Sequence, residues 1–295
     1  PAMPHLAVNG VDLWVEETGT GPAMLFLHEF GGDHRSWRAQ VAHFSKTHRC
    51  ITYAVRGYPP SEVPDDEAAY GQDIATADAL GVLDALAIDK ATVIGLSMGA
   101  YTGLMLSLAA PERVTALVAA SGGSGGHPPA RERFLADTLA LSDRMKKMAR
   151  LDLPELVRGP ARVQLENKDP QAFAEFAAHF AEHSPLGSAL TLRRVQAGRP
   201  SLHDHAAALA ASPVPTLLMV GDEDEPCLDI NLFLKRTMPM ASLIVMPKSG
   251  HLINLEDPAA FTAHIEAFIG QVADGRWQPR DPRAAIGAGA YTGDR

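Results

Sequence analysis

Short apolar runs recur along this chain and alternate with stretches whose apolar positions fall three or four residues apart. The runs are Ala23 to Leu27, Ile51 to Val55, Thr92 to Ile94, Thr115 to Ala120, Thr216 to Val220 and Leu243 to Met246. Each is nearly all apolar and bounded by glycine, proline or charge, as strands buried on both faces should be. Between them, Ile74, Ala77, Leu80, Leu83 and Leu86 form one helical stripe, and Phe261, Ile265, Phe268 and Ile269 form another. The second stripe has Asp257 as its expected N-cap and Pro258 at the first helical position. Alternating strands and helices predict an α/β fold with a mostly parallel sheet covered by helices on both sides. A hairpin precedes it, because His5 to Val8 and Val11 to Glu16 flank Asn9-Gly10, a pair suited to a tight type I′ turn.

One stretch breaks the alternation. From Gly122 to Ala211 the pattern is helical with no convincing strand, opening on Ser121-Gly122-Gly123-Ser124-Gly125-Gly126 and closing on Ser212-Pro213-Val214-Pro215. The expected organisation is therefore a core of residues 1–121 and 212–275, with 122–211 inserted as a helical cap or lid. Residues 276–295 lack periodicity and read as an extended or mobile C-terminal arm.

Composition narrows the function classes. A chain of 295 residues with 46% hydrophobic and 21% charged residues can bury a sizeable core. A net charge of −9 without a Lys/Arg stripe argues against a nucleic-acid partner. Cys50 and Cys227 do not make a disulfide framework, and Cys50 opens an apolar run as a small buried hydrophobe. No apolar stretch approaches the roughly 18 residues that span a bilayer, and Pro1-Ala2-Met3-Pro4 lacks the regions of a signal peptide. The expected location is cytoplasmic.

Chemistry concentrates at three places. Gly95-Leu96-Ser97-Met98-Gly99 follows a strand and precedes a helical pattern at Tyr101, Leu104, Met105 and Leu108. A sharp strand-to-helix turn lifts a serine hydroxyl above the sheet and needs small neighbours two positions either side. It also sets the hydroxyl at a helix N-terminus, where backbone N–H groups can face a developing oxyanion. Such a serine needs a base. His251 follows the last apolar run, at the C-terminal edge where open α/β sheets build their sites. His34, His43, His48, His179, His183 and His264 fall on or beside polar helical faces and read as exposed. His203 and His205 are two apart, a spacing that does not converge on a metal from a helix. The acid that orients His251 belongs between Ser97 and His251 in chain order. Gly221-Asp222-Glu223-Asp224-Glu225-Pro226 offers four carboxylates after a strand, whereas the loop after Ala120 offers serine and glycines.

With these motifs the chain resembles the α/β-hydrolase superfamily over about residues 5 to 272. The likeness extends to Leu27-His28 before a glycine-rich loop, Arg56-Gly57 with Ser61 nearby, and Gly250-His251. Gly31-Gly32-Asp33-His34-Arg35-Ser36-Trp37 and Gly221-Asp222-Glu223-Asp224 look most like the branch of 3-oxoadipate enol-lactonases and small carboxylesterases. The resemblance implies Asp224, fourth residue of a Gly-x-x-Asp turn, as the acid of a Ser97–His251–Asp224 triad. It implies the backbone N–H groups of Phe30 and Met98 as the oxyanion hole and His28 as a residue tying that loop down. The implied reaction is acyl transfer on a small-molecule ester or lactone, with no cofactor and no metal. Serine at position 97 argues against the branches with a carboxylate nucleophile. Carbon–carbon bond hydrolysis, and a small-molecule receptor that keeps the triad, are the competing readings.

The chain departs from the pattern at Glu29, where such enzymes usually carry glycine. A carboxylate beside an oxyanion hole opposes the charge that forms there. Glu29 either turns away and pairs with an arginine, or faces the cleft as a substrate-binding residue for a polar or cationic group.

Overall fold

The computed structural model describes residues 5–285. Its eight strands are β1 (His5–Val8), β2 (Val11–Thr18), β3 (Ala23–Leu27), β4 (Arg49–Tyr53), β5 (Ala91–Leu96), β6 (Val114–Ala120), β7 (Thr216–Gly221) and β8 (Ala241–Met246). They form one sheet in the order β1-β2-β4-β3-β5-β6-β7-β8. The pairs β1–β2 and β2–β4 are antiparallel, and every pair from β4 onward is parallel. The turn between β1 and β2 has Asn9 at φ 46° and Gly10 at φ 79°, the left-handed pair that a type I′ turn requires.

Neighbouring residues of a strand point to opposite faces, so strands covered twice must be apolar throughout. Val93 and Leu117 pack into one core with Leu83, Leu104, Ile230 and Leu234, from the helices Gln72–Ala85, Met98–Ala109 and Glu225–Thr237. Ile94 and Val118, one residue further on, pack into the other with Phe44, Phe261, Ile265 and Phe268, from Arg38–Phe44 and Pro258–Ala273. Asp257 caps the last helix by accepting from Ala260 N–H at 3.3 Å.

Between β6 and β7 every regular element is helical, the principal ones being Pro128–Met145, Pro170–Glu182 and Pro185–Thr191, the last running into a π turn at Leu192–Gln196. A third apolar cluster lies beneath them, where Met145, Phe180, Leu192 and Val195 close over Phe30, Tyr58 and Met98. The segment is not uniform. Leu202 and Leu209 join the cluster on the sheet face, so its last ten residues pack with the core.

Two expectations need correction. His183 is buried and shares a 3.1 Å hydrogen bond with Asp33, and His34 is buried against Glu16. The insertion around His183 is folded against the loop after β3, and His34 of that loop lies against β2, which a one-dimensional pattern does not show. The C-terminal arm is extended at first but not free. Trp277 stacks edge-on against Phe268 and donates to Met240 O at 2.8 Å. Residues 1–4 and 286–295 lie outside the described residues. Among the described residues no helix is long and apolar enough to cross a membrane.

Candidate active site

The three candidate triad residues follow three strands of the same parallel sheet edge. Ser97 directly follows β5, whose Leu96 pairs with Ala120 of β6. Ala120 pairs with Met219 of β7, and Gly221 at the end of β7 pairs with Met246 at the end of β8. Asp224 and His251 lie in the loops that leave those last two strands. Register therefore places all three at one edge of the sheet, where His251 bonds Asp224.

Ser97 has φ 54° and ψ −109° and serves as N-cap of the helix Met98–Ala109. A positive φ is costly for a residue with a Cβ and persists only where its surroundings enforce it. Here Ser97 N–H donates to Ala120 O at 2.7 Å, and Tyr101 N–H closes the first helical turn onto Ser97 O at 3.0 Å. The flanking glycines are required by packing. A Cβ on Gly95 would collide with the Gly99 backbone, and one on Gly99 with the carbonyl of Leu27.

His251 Nδ1 and Asp224 Oδ2 lie 2.8 Å apart, with the Asp224 side chain 2% exposed. Burial pulls the His251 pKa down, but the charge and hydrogen bond of Asp224 outweigh it and the net shift is upward. A base held this way is stabilised once it has taken a proton. The two supporting loops are laced together: Glu223 N–H donates to Ser249 O at 2.9 Å and Ser249 N–H to Asp222 at 3.0 Å. Gly221 leaves room for this approach, because a Cβ there would meet the Ser249 and Gly250 carbonyls. Glu256 braces the histidine from behind, accepting from Gly250 N–H at 2.7 Å and Leu252 N–H at 3.1 Å.

The loop after β3 is fixed peptide by peptide. Val55 N–H donates to His28 Nε2 at 3.1 Å, so the proton of a neutral ring sits on Nδ1, which then donates to Glu29 O at 2.8 Å. Burial lowers the His28 pKa to about 4, which keeps the ring neutral. Glu29 O and Phe30 N–H belong to one trans peptide, so fixing the carbonyl aims the N–H the opposite way. Tyr58 OH secures the next peptide through Phe30 O at 2.7 Å. Asp33 then ties the loop to the helical insertion through its 3.1 Å bond to His183, and Arg35, paired with Asp33 at 2.7 Å, reaches Glu182 of the insertion at 2.7 Å.

Met98 N–H, on the serine side, lies in the first turn of the elbow helix. A buried cavity of about 30 Å³ lies against Met98 and Gly99 under Thr191 and Val195. The only His/Cys/Asp/Glu group among the described residues whose ligand atoms converge is Asp224, Cys227 and His251. The Asp224–His251 hydrogen bond occupies Nδ1 there, and burial and Asp224 hold the Cys227 thiol well above its usual range.

Residues 24–264 match the alpha/beta hydrolase family. The chain belongs to that family. Several relatives align over most of both chains. A 2-hydroxymuconate semialdehyde hydrolase of Pseudomonas sp. (strain CF600) is 29% identical over 90% of this chain and 93% of its own. The 3-oxoadipate enol-lactonase 1 of Acinetobacter baylyi is 27% identical over 88% and 94%. The enol-lactonase structure from Burkholderia xenovorans LB400 shares the fold, with a TM-score of 0.75 at 24% identity over 90% of this chain and all of that one. A stronger but local match, 39% over 113 residues, is to an epoxide hydrolase of Caballeronia sordidicola; it takes in 38% of this chain and spans only 34% of that enzyme.

Within this family frame, Glu29 is buried at 1% exposure, with Oε1 3.5 Å from Ser36 Oγ and Oε2 unpartnered. Its side chain folds back over Gly32, where any Cβ would collide with it. Burial raises its pKa to about 7, and Arg162 and His251 pull in the opposite direction. Arg162 went unnoticed in the sequence. It is buried, its guanidinium lies 5.2 Å over the Phe176 ring, and a Cβ on Gly31 would collide with its Nη2. Nothing in the spacing around Pro160-Ala161-Arg162 distinguishes this arginine from surface ones. Glu256 and Tyr58 were equally unmarked.

Proposed function

We propose that the protein is a serine hydrolase that cleaves a carboxylic ester or lactone of a small molecule through an acyl-enzyme. The observation that carries this reading is the strained Ser97 backbone, held at positive φ on the sheet edge that also bears the bonded Asp224–His251 pair. Ser97 attacks the carbonyl as His251 takes its proton, Asp224 holds the tautomer, and the N–H groups of Phe30 and Met98 receive the oxyanion. Water activated by the same histidine then releases the acid. The relatives named as enol-lactonases support a small ester or lactone as substrate.

Carbon–carbon bond hydrolysis is the second reading, favoured by the full-length similarity to a 2-hydroxymuconate semialdehyde hydrolase. A panel of short-to-long p-nitrophenyl esters and of lactones separates the two. Repeated turnover of at least one ester or lactone supports the proposal. Inertness toward all of them, with cleavage of a vinylogous diketone, would transfer the assignment. A single slow event per molecule would point to a receptor.

A further inference from the structure

Glu29 and Arg162 come from different layers of the molecule and both pack on the oxyanion loop, where a Cβ on Gly32 would collide with Glu29 Oε1 and one on Gly31 with Arg162 Nη2. Glu29 belongs to that loop. Arg162 descends from the helical insertion, and the residue before it, Ala161, accepts from His251 N–H at 3.3 Å. Both side chains are buried, at 1% and 7% exposure. The charge of each favours the ionised form of the other. Yet they share no hydrogen bond, and Glu29 Oε2 and Arg162 Nε both lack partners. Arg162 Nη1 donates to Leu156 O at 3.3 Å, so Oε2 and Nε are the capacity left unspent beside the loop, and an ionised Glu29 offsets the Arg162 charge.

We propose that Glu29 is a specificity-determining residue that cancels the charge of Arg162 beside the oxyanion loop and so removes the attraction the site would offer to acyl groups bearing a second carboxylate. This rests on the ester-hydrolase reading. A guanidinium without a counter-charge in a buried site is a strong carboxylate receptor. With Glu29 ionised, an incoming carboxylate meets a compensated cation and an adjacent anion. Protonating or removing the Glu29 charge restores the attraction. The charged and titratable groups facing Glu29 are Asp33 on its own loop, Tyr58 from the loop after β4, Arg162 from the insertion and His251 from the loop after β8. His251 must be in the same form for any ester, so its titration cancels in a ratio of two substrates.

The test compares 4-nitrophenyl butyrate with the mono-4-nitrophenyl ester of glutarate, which differ by one remote carboxylate that stays ionised above pH 6. The readout is the anionic-to-neutral ratio of kcat/KM. Glu29→Gln should raise that ratio at least tenfold, and Glu29→Asp, which keeps the charge, should leave it near the wild-type value. Adding Arg162→Gln to Glu29→Gln should cancel the gain. In the wild type the ratio should climb as pH falls from 8.5 to 6, and in Glu29→Gln it should stay flat. That wild-type profile serves even if the variants fold poorly. A ratio that ignores both pH and the Glu29 charge overturns the inference while leaving the ester reading intact. If the wild type hydrolyses neither ester, the ester reading fails. Calorimetric binding of glutarate then decides, with at least tenfold tighter binding by Glu29→Gln expected and equal affinity refuting.

Discussion

Replacing Gly99 with alanine puts the most rigid part of the site under load. The new Cβ would lie 2.8 Å from Leu27 Cβ, with the Leu27 carbonyl closer still. Carbon atoms rest about 3.5–4.0 Å apart, so the strand end and the helix start must separate by roughly 1 Å. Neither can yield alone. Leu27 is bonded into a central strand between β4 and β5, and the helix start carries Ser97 and Met98. Overpacking of this kind costs about 1–3 kcal/mol of stability, or a fall in Tm of roughly 2–4 °C per kcal/mol for a chain of this size. The catalytic effect should be larger, because a shift of about 1 Å in a reacting group costs on the order of a hundredfold. Thermal unfolding and kcat on the best ester of the panel measure the two. A Gly99→Ala protein with near-wild-type kcat would refute the claim that close strand–helix packing sets the serine in place.

Three further outcomes follow from the geometry. Asp224→Asn should lower kcat by about 10⁴. It should also move the acidic limb of the pH–rate profile to lower pH, since Asp224 is what raises the His251 pKa against burial and the neutral ring is the active form; an unmoved limb would contradict this. Asp78→Ala leaves the buried Arg56 guanidinium without the carboxylate that meets its Nε at 2.6 Å, and should destabilise the fold by about 3–5 kcal/mol in denaturant titration. His28→Ala frees the Glu29–Phe30 peptide and should lower kcat more than it changes KM, which a full Michaelis analysis would show.

The fold was readable because doubly covered strands must be apolar at every position, and β3 begins and ends where its apolar run does. Boundaries moved where a strand continues past its apolar stretch, as β2 does to Thr18 and β4 does from Arg49. The candidates Ser97, Asp224 and His251 could be singled out because each stands at a strand end in a turn whose glycines mark tight backbone approach. The supporting residues were not. Tyr58 and Glu256 act through contacts across 28 and 6 positions of sequence, to Phe30 and Gly250, Arg162 is buried over Phe176, and none of the three carries a local signature. His183 failed for the same reason, being 150 positions from the Asp33 that buries it.

The central claim is that Ser97 forms an acyl-enzyme. Intact-protein mass spectrometry after rapid mixing with a p-nitrophenyl ester tests it directly, using wild type and Ser97→Ala. The account predicts a transient mass gain of one acyl group on the wild type, mapped to the peptide containing Ser97, and neither adduct nor turnover in the variant. Continued turnover by folded Ser97→Ala, or an adduct on another residue, would contradict it.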